Sequence, residues 1–182
     1  MTPAEIEFAK LMISEAKKSS HPFPGYAAAE AFLESASFSS VTGQSGLASR
    51  DKDVFGIKSP SWWVGKIDSI ITREVVNGVS EMVQAKWPVF ETYADCFAAR
   101  LKVLQSVPIY SEALEAKTGD EFIRLVSAEW VPMGTLPIST AHPLSGFLSG
   151  VYQFNKSRWS TDPFRAKKVL ITYNSHLDIF GE

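Results

Sequence analysis

Apolar positions recur through the first part of this chain with the spacing of helices. Thr2-Pro3-Ala4-Glu5 is a helix start, with a capping threonine, a first-turn proline and a glutamate three residues after the cap. Ile6, Ala9, Leu11, Ile13 and Ala16 then predict a helix running to about Lys18. His21, Pro22, Pro24 and Gly25 break it. From Tyr26 to Ser35 the pattern loses its polar face, because Ala27, Ala28, Ala29, Ala31, Phe32 and Leu33 are apolar nearly all round. A helix of that kind is buried, and Glu34 closes it. The serines and glycines from there to Arg50 predict an irregular surface segment.

The period changes near Ser69. Ile70, Ile71, Thr72, Val75 and Val76 form a β-branched run, followed by Asn77-Gly78, the strongest two-residue hairpin signal. Val79 to Val89 is the expected return strand. Helical patterns resume over Tyr93 to Val107, Ser111 to Ala116, Asp120 to Glu129 and Pro163 to Leu177. Between them, Trp130 to Arg158 holds Pro132, Gly134, Pro137, Pro143, Gly146 and Gly150. It predicts a long loop with a short helix around Leu144 to Phe154. The sum is a mostly helical chain interrupted by one β-hairpin.

Composition narrows the partners. The chain has 182 residues, 45% hydrophobic and 21% charged, which fits one globular domain. A net charge of -2, with no run of five like charges, gives no general pull toward nucleic acid or an anionic membrane. No apolar stretch approaches the ~20 residues of a membrane span. Met1 to Lys10 lacks the basic start and apolar run of a secretory leader. Any export is thus expected to use another route or to follow removal of a leader. The lone Cys96 shares a helix face with Tyr93 and Phe97, and an inert buried thiol is expected.

Candidate chemistry reduces to carboxylates. His21, His142 and His176 are isolated, no cysteines pair, and no acidic loop has calcium-binding spacing, so neither a metal nor a cofactor is expected. Gly43-Gln44-Ser45-Gly46 lacks the lysine of a phosphate cradle. Glu34 closes an apolar helix, and burial would hold its carboxyl protonated, as a general acid requires. The same pattern fits a helix-end glutamate that points to water. Glu74 stands on the first hairpin strand. Glycoside hydrolysis needs two carboxyl groups flanking the bond, but a solvent-facing glutamate paired with Arg73 fits as well. Trp62-Trp63 beside Gly65, and Trp159 near Asp162, have the character of sugar-stacking faces.

Read in order, three segments carry a resemblance: Ala31-Phe32-Leu33-Glu34-Ser35, Gly43-Gln44-Ser45-Gly46-Leu47-Ala48, and Asp53-Val54-Phe55-Gly56-Ile57-Lys58. Together they resemble the signature of the peptidoglycan endo-β-N-acetylglucosaminidases, a group that includes flagellar-rod hydrolases and many autolysins. Thr72-Arg73-Glu74 before Asn77-Gly78, Ala85 to Phe90 before Tyr93, Val107 to Tyr110, and Trp159 to Pro163 continue the match in order. The chain departs from the pattern at Ala36-Ser37-Phe38, where Gly-Trp-Gly is common. It also departs at Asp53-Val54 in place of Asn-Leu, at Ala99 in place of an aspartate, and at Trp159 in place of a tyrosine.

The resemblance implies a lysozyme-like α+β fold, a helical lobe and a small hairpin lobe with a groove between them. It implies a single catalytic domain over 1–182, with the β lobe at about 66–90 and an insertion at about 130–158. Glu34 matches the family's essential acid and Glu74 its β-lobe glutamate. Trp62, Trp63, Phe55, Trp159 and Asp162 are the implied substrate-binding set. The implied activity is cleavage of the β-1,4 bond after N-acetylglucosamine in peptidoglycan glycan strands, at the cell wall. A muramidase or lytic transglycosylase on the same fold, and a non-catalytic wall-binding module, are the rival readings. A delivery system or inhibitor protein is a further expected partner.

Overall fold

The computed structural model describes residues 1–36, 41–76, 79–127, 130–132, 152–154 and 164–181. The side chains of 73–76, 79–80, 109, 130–132 and 152–154 are excepted. Helix α1 spans Pro3–Lys18 and α2 spans Pro24–Ser35. The cap predicted for α1 forms as a reciprocal pair: the Thr2 amide donates to Glu5 Oε2 at 2.8 Å, and the Glu5 amide donates to Thr2 Oγ1 at 3.3 Å. Ala27, Ala28, Ala29 and Ala31 are wholly buried. Their small side chains let α2 lie close to α1 and to α7, Arg165–Ser175, the two helices it contacts most.

A short helix, α3 (Gly46–Asp51), interrupts the segment expected to be irregular. Ser45 makes it possible, since its side chain accepts from the Ala48 amide and caps the first turn. Gly43 sits just before it at φ +69°, and a Cβ there would lie 2.6 Å from the Ala4 carbonyl carbon. Glycine is the residue that satisfies both the left-handed backbone and the close approach to α1.

The hairpin forms from β1 (Ile67–Val76) and β2 (Val79–Pro88), paired antiparallel from Ile67 opposite Pro88 to Val76 opposite Val79. Only two residues separate the strands, as Asn77-Gly78 predicted. The sheet stands away from the core, with Ile71 67% and Met82 61% exposed. Its base is fastened by backbone bonds from the Ser59 amide to Lys86 O, Val89 to Lys66 O and Phe90 to Asp51 O.

Helix α4 (Tyr93–Ser106) follows, then a 3-10 turn at Pro108–Tyr110, α5 (Ser111–Leu114) and α6 (Gly119–Val126). Helix α6 ends earlier than expected because Ser127 turns extended. Trp130–Pro132 (β3) pairs antiparallel with Tyr152–Phe154 (β4), so the residues expected to finish a short helix are a strand, held by a non-local pairing. Most of the predicted insertion lies outside the described residues. The closing helix divides into α7 and α8 (Leu177–Phe180), because His176 leaves helical geometry at φ -139°. One core runs from Phe8 and Met12 through Phe97, Leu104 and Phe122 to Val169 and Phe180. Cys96 is fully buried there, and burial with the Asp53 charge pushes its thiol well up, consistent with an inert residue. Among the described residues, no helix is long and apolar enough to cross a membrane.

Candidate active site

Two glutamates lie one turn apart on α2, at i and i+4, and so share a face. Glu30 is wholly buried in a helix otherwise lined with alanine. A lone buried carboxylate is very unfavourable unless cations meet it. Arg100 on α4, also 0% exposed, pairs through Nη2 with Glu30 Oε2. Arg165 on α7 donates from Nη2 to Glu30 Oε1 at 3.1 Å. Arg100 further donates from Nη1 to His21 Nε2 at 3.1 Å, a bond that requires a neutral imidazole. Burial, and then the adjacent guanidinium, lower His21 to about 3, so the ring is neutral across the physiological range. The Arg100 guanidinium also lies 4.9 Å from the Phe55 ring and 5.5 Å from the Phe122 ring.

Glu34 is the outer end of this chain of charges. Its Oε1 pairs with Nη1 of Arg165, and its side chain is 34% exposed while Arg165 is 5% exposed. The structure therefore corrects the expectation that Glu34 is buried in apolar surroundings. The carboxyl reaches solvent and is held from below by a buried arginine. The wholly buried glutamate of α2 is Glu30, which motif reading passed over.

The neighbouring motif residues brace the end of α2. Ser35 Oγ donates to the Val54 carbonyl at 2.8 Å, Ser35 O accepts from the Ser45 amide, and Ala36 bridges to Gln44. Asp53 is 1% exposed, and its Oδ1 accepts from the Phe55 amide at 3.2 Å and the Ile57 amide at 3.1 Å. Its Oδ2 is buried with no hydrogen-bond partner among the described residues. Burial, only partly offset by these donors, raises Asp53 from 3.8 to about 6. The folded form therefore keeps a proton that the unfolded chain has lost, and stability falls as pH rises from about 4 to about 6. Two pK units are worth about 3 kcal/mol. Asp53→Asn removes the charge but leaves Nδ2 without an acceptor, so we expect a net gain of about 1–2 kcal/mol at pH 7. Urea unfolding at pH 4 and pH 7 checks this, and a less stable variant at pH 7 would refute it.

Aromatic residues gather elsewhere, at the base of the hairpin. Trp63 packs edge-on against Phe90, with centroids 5.1 Å apart, and its indole Nε1 donates to Lys66 O at 3.0 Å. A Cβ on Gly65 would strike the Trp63 ring at 2.6 Å, which explains the glycine. Lys102 Nζ stands 4.1 Å from the Trp62 centroid. Trp62, Trp63, Phe90, Ala98, Ala99 and Lys102 contribute to a cleft of about 570 Å³. Glu34 does not occur among the described residues lining it.

Phe55, expected in the substrate-binding set, is 4% exposed and edge-on to Phe97 beneath Arg100. It packs the core and offers little ring face to a ligand. The Glu74 backbone sits in β1 opposite Glu81, and its side chain lies outside the described residues. Trp159 and Asp162 lie outside them altogether. Sequence reading missed Glu30, Arg100 and Arg165. The available signal was an acidic residue in the middle of an alanine helix, which demands a buried cation.

The fold has known relatives. The catalytic domain of the autolysin Auto from Listeria monocytogenes superimposes with a TM-score of 0.64 at 20% identity, covering 97% of this chain and 86% of that one. A mutant peptidoglycan hydrolase from Sphingomonas sp. A1 gives 0.60 at 18% identity, covering 94% of each chain. The truncated glycoside hydrolase domain of Salmonella typhimurium FlgJ gives 0.57 at 20% identity, covering 96% and 97%. At such identities the likeness is one of fold, and it fits the helical lobe and hairpin lobe that the motifs implied. In sequence, the peptidoglycan hydrolase FlgJ of Salmonella typhimurium is 30% identical over 69 residues, 38% of this chain and 22% of FlgJ. The match thus spans about a fifth of that relative's length. The family described as mannosyl-glycoprotein endo-beta-N-acetylglucosaminidase matches residues 9–177, and the chain belongs to this glucosaminidase family of glycoside hydrolases.

Proposed function

We propose that this protein hydrolyses the β-1,4 bond after N-acetylglucosamine in the glycan strands of peptidoglycan, at the cell wall. The observation that carries the reading is Glu34. It is a solvent-reaching carboxyl at the end of a buried helix, fixed by Arg165, within a chain whose family match covers residues 9–177. In this reading Glu34 gives its proton to the glycosidic oxygen as the bond to the anomeric carbon breaks. Glu74 acts from the hairpin, activating water or steadying the oxocarbenium charge. A substrate acetamido group that attacks first would leave Glu74 to polarise it. Trp62 and Trp63 offer stacking faces at the hairpin base, and Trp159 and Asp162 complete the proposed substrate-binding set.

The products decide the matter. Purified sacculi digested with the protein, reduced with borohydride and analysed by mass spectrometry should yield fragments ending in reduced N-acetylglucosamine. Ends in reduced N-acetylmuramic acid would make it a muramidase, and 1,6-anhydro ends a lytic transglycosylase. Retention on sacculi without new ends would make it a binding module.

A further inference from the structure

We infer that Arg165 is a positioning residue for Glu34, aimed and charge-balanced by the buried chain His21–Arg100–Glu30. The inference rests on the reading of Glu34 as the acid. Its basis is the sharing of one guanidinium between two carboxylates. Arg165 holds Glu30 through Nη2 and Glu34 through Nη1, using different nitrogens of a planar fork. The fork is not free to swing. Arg165 is 5% exposed, and Glu30 is gripped from its other oxygen by Arg100. Such a fork sets direction as well as charge.

The charge count gives the arrangement a chemical consequence. Arg100, Arg165 and Glu30 together carry one excess positive charge beneath a neutral His21. An ionised Glu34 cancels it, and a protonated Glu34 leaves it uncancelled. The cluster therefore favours release of the Glu34 proton, and steadies the carboxylate that forms as the glycosidic oxygen takes it. The same feature limits the pH range over which Glu34 holds the proton it must donate.

Among the described residues, the charged groups on the elements packed against α2 are engaged or exposed. From α1, Glu5 belongs to the Thr2 cap and Glu15 pairs with Lys18. From α6, Asp120 accepts from the Tyr26 hydroxyl at 2.8 Å. Asp178 on α8 and Lys167 and Lys168 on α7 are exposed, and Asp53 sits beneath Ser35 in its own amide cradle.

The test is the pH profile of kcat on soluble peptidoglycan glycan fragments, for the parent and three variants, with Glu34→Gln as a control. Arg165→Met removes the cation. We expect kcat to fall about 10- to 100-fold with little change in KM, and the alkaline limb to move up by about one pH unit. Arg165→Lys keeps the charge without the fork, and should return the limb while leaving kcat several-fold low. Glu30→Gln is nearly isosteric and leaves both arginines in place. It raises the excess charge, and should move the alkaline limb down, opposite to Arg165→Met. A purely structural role would slow the enzyme without moving the limb in opposite directions. If Arg165→Met does not fold, the downward shift in Glu30→Gln carries the test. An unmoved limb in the folded variants overturns the inference. Glu34→Gln separates the two readings: if it stays active, the assignment of the acid fails. If it is dead while the other limbs are unmoved, only the role of Arg165 fails.

Discussion

Glu34→Gln should leave a folded protein that releases glycan ends at least about 100-fold more slowly than the parent, because positioned acid catalysis contributes about 10²–10⁴. Glutamine keeps the shape of the side chain, and its amide oxygen can still accept from Arg165. It has no acidic proton to give to a leaving oxygen. Stability should change by no more than about 1 kcal/mol, since one side of the Glu34–Arg165 pair is a third exposed. Comparing clearing of purified cell walls with unfolding in urea reads both effects on the same sample. A variant that clears walls at the parental rate removes Glu34 from the mechanism, and one that unfolds in dilute urea shows a structural role instead.

The second large effect falls on Arg100. Arg100→Met is expected to destabilise the fold by about 3–5 kcal/mol, the cost of breaking a buried ion pair from one side. Glu30 would keep Arg165 but lose its other cation at zero exposure. His21 would lose the guanidinium at Nε2, and the Phe55 and Phe122 rings would lose the guanidinium beside them. Methionine occupies the space of the stem, which limits the part of the loss due to a cavity. The urea midpoint reports the change, and a shift worth less than about 1 kcal/mol would mean that Glu30 is satisfied without Arg100. The double variant Glu30→Gln with Arg100→Met should recover part of the loss, since neither charge is then stranded.

These two residues mark the boundary of what motif reading can reach. Glu34 stands inside an ordered set of short motifs, and each motif residue has a local task. Ser35 holds the Val54 carbonyl, Ser45 caps α3, and Gly43 fits against α1. Such tasks constrain residue type at a fixed position, so they leave a readable trace. Arg100 and Arg165 carry no comparable trace. Each is the single arginine of its helix, indistinguishable by pattern from a solvent-facing cation until the fold places it against Glu30. Phe55 shows the opposite error. Its motif marked it as a binding residue, yet its ring is spent on Phe97 and Arg100 inside the core.

The sequence alone determined the α1 cap, the alanine helix that buries itself, the hairpin at Asn77-Gly78 and the candidacy of Glu34. All are products of neighbours within about one or two helical turns or one tight turn, where propensity and periodicity act directly. Only the tertiary structure decided how exposed Glu34 is, and what supports it. Glu30 meets Arg100 across 70 residues and Arg165 across 135. Whether a carboxylate is buried, and whether a cation reaches it, depends on which helices pack together, and that is set by the whole core at once.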